Sequence, residues 1–143
     1  AGQHRQSMNT LGIIAAEVAY NECEDWLDQL VDYIDETQAF VEAFVRTKMP
    51  YVRFVKPEGT YLSWLEVSDA IDRVGATATA AEDPAETPET VFQRYLVEHA
   101  NIHVNPGSSY GVGGAGRMRM NIATSRQLVE LALSNMAGAL MDA

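Results

Sequence analysis

The sequence predicts an α+β domain: a small, mostly antiparallel sheet covered by helices and preceded by a long kinked helix. Three observations predict it. Apolar residues recur at helix spacing from Leu11 to Val45. Two short β-rich runs, residues 51–55 and 60–67, flank the turn-forming Lys56-Pro57-Glu58-Gly59. Further on, an alternating segment, residues 117–122, lies between a glycine-rich stretch and a capped final helix.

Each element has its own local reason. Residues 1–8 are polar and read as a helix end or frayed terminus. Leu11, Ile14, Ala15 and Val18 then fall on one helical stripe, as do Leu27, Leu30, Val31 and Ile34, and Phe40, Val41, Phe44 and Val45. Asn21 followed by Glu22, Glu24 and Asp25 marks a break and a new helix N-terminus, where acids suit the dipole. The acidic run to Asp28 is a solvated face. Pro50 ends the helical pattern, and the two runs after it read as a hairpin closed by a type I turn. Residues 68–73 read as a short helix. Residues 75–86, rich in Ala, Thr, Glu and Pro, read as a solvated loop insertion. Thr87-Pro88-Glu89 opens a helix that runs to about His99, with Val91, Tyr95 and Leu96 on its apolar stripe. Residues 102–104 and 117–122 read as strands. Ser125 caps a last helix whose expected buried face is Leu128, Leu131, Ala132, Met136, Ala139 and Leu140.

Bulk properties bound the function. The 143 residues make one domain's worth of chain, enough to remove about two-thirds of the unfolded surface from water. Apolar content of 47% and charged content of 21% are those of a globular protein. The net charge of −10 argues against nucleic acid, which needs a basic face, and against anionic membrane surfaces. Cys23 is the only cysteine, so neither an internal disulfide nor a cysteine-based metal site can form. That fits a reducing cytoplasm, the expected location. The chain opens at Ala1 without an initiator Met, as a processed protein or a piece of a longer one would.

Chemistry concentrates in residues 105–123. Asn105-Pro106-Gly107-Ser108-Ser109-Tyr110-Gly111 leads through glycines to Arg117-Met118-Arg119-Met120-Asn121-Ile122-Ala123. Arg119 shares a strand face with Arg117 and Asn121. A planar guanidinium on a strand beside a flexible loop suits a carboxylate, to which it can give two parallel hydrogen bonds. A surface arginine paired with an acid is the competing reading, and Asn121 either orients the guanidinium or ends the strand. Tyr110 flanks the glycine loop and, with Tyr61 and Trp64, is a candidate for lining a pocket, although an interior-strand Trp64 is expected in the core. Ser108 and Ser109 lack the strained elbow of a hydrolase nucleophile and read as turn residues. Residues 111–116 satisfy G-x-G-x-x-G, but a strand rather than a helix follows, so a flexible connection is expected instead of a dinucleotide site. His4, His99 and His103 are scattered and predict no metal site.

With these residues in view, the chain resembles the C-terminal part of a pyridoxal-phosphate-dependent class I/II aminotransferase-fold enzyme, in its cystathionine β-lyase or C–S lyase branch. Asn9-Thr10-Leu11-Gly12, Ala19-Tyr20 and Glu24-Asp25-Trp26-Leu27 are similar to the family's interdomain helix. Residues 57–65 resemble its small-domain hairpin, and residues 105–111 and 119–123 its two C-terminal motifs. The resemblance implies an interdomain helix segment over residues 1–20 and an aminotransferase-type small domain over 21–143. It implies that Arg119 binds the substrate α-carboxylate, with Tyr110, Ser108 and Asn121 lining the active site. It also implies pyridoxal 5'-phosphate, an amino-acid substrate and a homodimeric parent enzyme, a β-lyase or an aminotransferase.

The family's Schiff-base lysine, phosphate cradle and pyridine-nitrogen acid lie in a larger domain upstream. The only lysines here, Lys48 and Lys56, sit in no matching motif. The chain alone is therefore expected to hold no catalytic or cofactor-binding residue and to be inactive. The rival reading is a free-standing, non-catalytic module that binds amino acids or another protein.

Overall fold

A computed structural model describes residues 9–143; the expectations for residues 1–8, His4 included, lie outside them. The elements run α1 (Thr10–Glu22), α2 (Glu24–Lys48), β1 (Arg53–Phe54), β2 (Leu62–Glu66), α3 (Ser68–Arg73), α4 (Ala76–Ala80), α5 (Pro88–Ala100), β3 (Asn105–Pro106), a 3-10 turn (Gly107–Tyr110), β4 (Arg117–Asn121) and α6 (Arg126–Met141). The fold is α+β, as expected. The chain divides into two compact units, Ala1–Tyr33 and Ile34–Ala143, with the division inside α2.

In the first unit, Asn9 caps α1 by accepting a hydrogen bond from Leu11 N at 3.0 Å. The helix breaks at Cys23, where the acidic cluster predicts it, and Glu24 and Asp25 occupy the first turn of α2. α1 buries none of its residues: Leu11, Ile14 and Val18 are 75%, 53% and 41% exposed. An apolar helix this bare does not stay solvated. The chain is expected to self-associate, and Ile14→Lys with Val18→Lys to shift it toward monomer. Light scattering showing a strict monomer at high concentration would refute this.

The second unit is built on a four-stranded antiparallel sheet in the order β1-β2-β4-β3. Strand alternation divides its residues between two faces. Ser63, Leu65, Met118 and Met120 are buried, and they join Val41 and Val45 of α2, Phe92 and Leu96 of α5, and Leu133, Met136 and Leu140 of α6 in the core. The other face carries Leu62, Trp64, Glu66, Arg117, Arg119 and Asn121, none of them fully buried. The buried polar pair is satisfied internally. Ser63 Oγ donates to Gln38 Oε1 at 2.8 Å, and Gln38 Nε2 donates to the Thr60 carbonyl at 3.1 Å. Thr87 and Thr90 form a reciprocal capping box at α5, and Ser125 caps α6. Among the described residues no helix is long and apolar enough to cross a membrane.

Four local expectations change. Residues 75–86 are not an open loop: α4 forms there and buries Ala76 and Ala80 in the core, because alanine-rich sequence favours helix once one face is covered. The β1–β2 connection is a wide loop in which Thr60, rather than Gly59, takes the positive φ of 68°. The expected strand at 102–104 is irregular, and pairing falls instead on Asn105–Pro106. On α6, Leu128 and Leu131 are exposed and the buried stripe is Val129, Leu133, Met136, Ala139 and Leu140.

Candidate functional site

Arg119 sits at the middle of β4, directly opposite Trp64 of β2 on one side and Asn105 of β3 on the other. Opposed residues of antiparallel strands share a face, so these three side chains form one row on the open face of the sheet. Trp64 is therefore half-buried beside Arg119 and not in the core as expected. Tyr110, at the end of the 3-10 turn, lays its ring on the guanidinium with 4.1 Å from Cζ to the ring centroid. It also meets Trp64 edge-on, with centroids 5.6 Å apart and planes at 88°.

The electrostatics separate the two arginines of β4. Arg117 lies opposite Glu66. Hydrogen bonding from the Ser68 side chain, helped by its backbone N–H and by the Arg53 and Arg117 charges, outweighs partial burial and holds the Glu66 carboxyl below its ordinary value. Arg119 has no such partner. Among the described residues no carboxylate forms an ion pair with it, and its buried Nε has no hydrogen-bond acceptor. A buried unsatisfied donor costs about 1–3 kcal/mol. A guanidinium with a donor left in this state beside an aromatic stack suits an incoming planar acceptor.

The glycine-rich loop is a chain of turns that leads into a strand and not into a helix, as the sequence predicts. Gly111 N donates to Ser108 O, Gly114 N to Gly111 O, and Arg117 N to Gly114 O. Gly107 and Gly114 approach so closely that a Cβ on either would collide with the other's carbonyl. Together with Trp64, Tyr110, Val112 and Arg117, the loop borders a depression of about 350 Å3. Another depression, of about 720 Å3, lies between the ends of α5 and α6 and contains none of the Arg119 group.

The remaining candidates scatter. Asn121 is exposed and uses its Oδ1 to accept from Ala123 N at 2.8 Å, which ends the strand. Ser108 Oγ faces Glu89 at 3.5 Å. Tyr61 is 44% exposed in the connection before β2. His99 stacks on Tyr95 at the end of α5, and His103 faces Gln93. Among the described residues no three His, Cys, Asp or Glu side chains converge as a metal site. Lys48 is exposed in the last turn of α2, and Lys56 pairs with Asp35 at 2.7 Å.

The sequence placed Asn105 in the chemistry-bearing stretch but gave it no position beside Arg119. A signal for Trp64 was present: it shares strand parity with Glu66, whose charge needs water. Only the strand order reveals Asn105.

The aminotransferase class I and II family model matches residues 7–135. The chain belongs to that family. Its relatives include the cystathionine beta-lyase PatB of Bacillus subtilis, 32% identical over 93% of this chain and 30% of that protein. Another is a cystathionine beta-lyase of Corynebacterium glutamicum, 29% identical over 95% of this chain and 32% of that protein. Among solved structures, cystalysin from Treponema denticola, which contains pyridoxal 5'-phosphate, superposes with a TM-score of 0.76 at 28% identity, over 95% of this chain and 31% of that one. The chain spans about a third of the length of the curated relatives it matches.

Proposed function

We propose that this chain is the C-terminal part of a pyridoxal-phosphate-dependent C–S β-lyase or aminotransferase acting on amino acids. In this reading residues 1–20 are its interdomain helix segment and residues 21–143 its small domain. The observation that carries the site is the Arg119 guanidinium stacked on Tyr110, its buried Nε without an acceptor and the group without an ion pair among the described residues. The aromatic stack sets the guanidinium plane, and the plane sets the direction from which a carboxylate is gripped bidentately. Holding the α-carboxylate orients the bonds at the substrate Cα, and positioning of this kind is a large part of catalysis. Trp64 and Tyr110 keep water from one side of the pair and strengthen it. The names of the relatives support the lyase branch.

The chain's own lysines do not fit the cofactor. Lys48 is exposed at a helix end, Lys56 is engaged by Asp35, and neither belongs to the Trp64–Tyr110–Arg119 group. In this reading the lysine and phosphate cradle belong to the larger domain of the parent enzyme. On its own, the chain is expected to give no lysine-dependent visible band with pyridoxal phosphate and no pyruvate from cystathionine. The deciding experiment reads the coding frame upstream of Ala1. An in-frame domain with a cofactor-anchoring lysine supports the reading; a frame that opens at or near Ala1 overturns it.

A further inference from the structure

The sheet and loop leave one buried carboxylate that the clamp does not use. Glu89 is 5% exposed, at the second position of α5. It is not needed to cap the helix, because Thr87 and Thr90 already do that. No cation forms an ion pair with it among the described residues. A carboxylate buried without a counter-ion is costly unless donors converge on it. The donors that do so come from the two ends of one loop: Gly116 N at 2.6 Å to Oε1, and Ser108 Oγ at 3.5 Å to Oε2. Between them lies Tyr110.

We propose that Glu89 is the positioning residue of the clamp, tying both ends of the glycine-rich loop so that Tyr110 lies on Arg119. The inference rests on the reading of Arg119 as a carboxylate clamp. Its parts are held independently. Phe92 and Leu96, both fully buried, anchor α5 in the core and so fix the carboxylate. The N-terminal dipole of α5 favours negative charge at that place. The Gly116 carbonyl accepts from Val67 N at 2.8 Å, so this residue is held through both its N–H and its carbonyl. Gly116 has φ +72°, and Ser68 Oγ occupies the space a Cβ would need, so only glycine brings its N–H to Glu89 without strain. The charge-assisted bond to Gly116 is the strong one, and the longer Ser108 contact is its weak companion.

The test uses the 143-residue chain and its Glu89→Gln, Glu89→Asp and Ser108→Ala variants. Two readouts need no ligand: amide hydrogen exchange across residues 111–117, and modification of Arg119 by phenylglyoxal followed by mass spectrometry. In Glu89→Gln, exchange at the Gly116 amide is expected to rise about tenfold or more, as for loss of one charge-assisted bond. Arg119 should be modified several times faster while α6 amides keep their protection, and Glu89→Asp should recover part of the effect. A folded Glu89→Gln chain with unchanged loop exchange and unchanged Arg119 reactivity overturns the proposal. A uniform rise across the core also overturns it, because it marks a role in stability alone. If Glu89→Gln does not fold, Ser108→Ala decides: faster Arg119 modification supports the tie, and none overturns it. Failure of the clamp reading is a separate result, an unchanged KM for the Arg119→Ala variant of an active enzyme that carries this chain.

Discussion

In an active enzyme carrying this chain, Arg119→Ala is expected to lower kcat/KM for the amino-acid substrate by about 10²–10³-fold, the usual cost of removing one partner of a desolvated charge pair. The loss should appear in KM and in kcat together, because the guanidinium both binds the carboxylate and fixes the orientation of Cα. Arg119→Lys should recover only a minor part. An ammonium is a point charge without the planar fork, and it stacks less well on Tyr110. Arg119→Ala should leave stability nearly untouched. Among the described residues Arg119 Nε has no acceptor, so truncation removes a buried unsatisfied donor and breaks no hydrogen bond there. Steady-state kinetics of the enzyme and urea unfolding of the chain check the two halves. A large fall in stability with unchanged kcat/KM would make Arg119 a structural residue.

Phe92→Ala is expected to destabilise the second unit by about 3–5 kcal/mol, through lost transfer free energy and the cavity left behind. Phe92 is fully buried on α5 and stacks on Tyr95, with centroids 6.5 Å apart. Tyr95 in turn donates from its hydroxyl to the Ala139 carbonyl of α6 at 2.7 Å, so the cavity lies where two helices are joined. The control is Leu128→Ala. Leu128 is 55% exposed, and its loss should cost less than about 0.5 kcal/mol. Denaturant unfolding of both variants tests the burial assignment: a Leu128→Ala effect as large as that of Phe92→Ala would mean that α6 presents the other stripe.

The α6 comparison shows where sequence reasoning stops. Leu128 and Leu131 fit a helical stripe, and so do Val129, Leu133, Met136 and Leu140. Periodicity establishes the helix but does not choose between stripes when both are apolar. The same holds on β2, where alternation separates Trp64 from Leu65 without naming the inner one; the parity of Glu66 would have decided it. Residues 76–80 failed for another reason. Their composition suits a solvated loop as well as a helix, and the helix wins only because Ala76 and Ala80 find cover in the core.

By itself the sequence determined the class of the fold, the helix break beside Cys23, the caps at Thr87 and Ser125, the strand that carries Arg119, and the family. These rest on interactions within a few residues of one another or on motifs kept in order along the chain. Tertiary structure alone decided that Trp64 and Asn105 flank Arg119, that Tyr110 stacks on it, and that Glu89 reaches across 27 residues to Gly116. Those contacts depend on strand order and on which face excludes water, and such long-range choices leave no periodic trace in the chain.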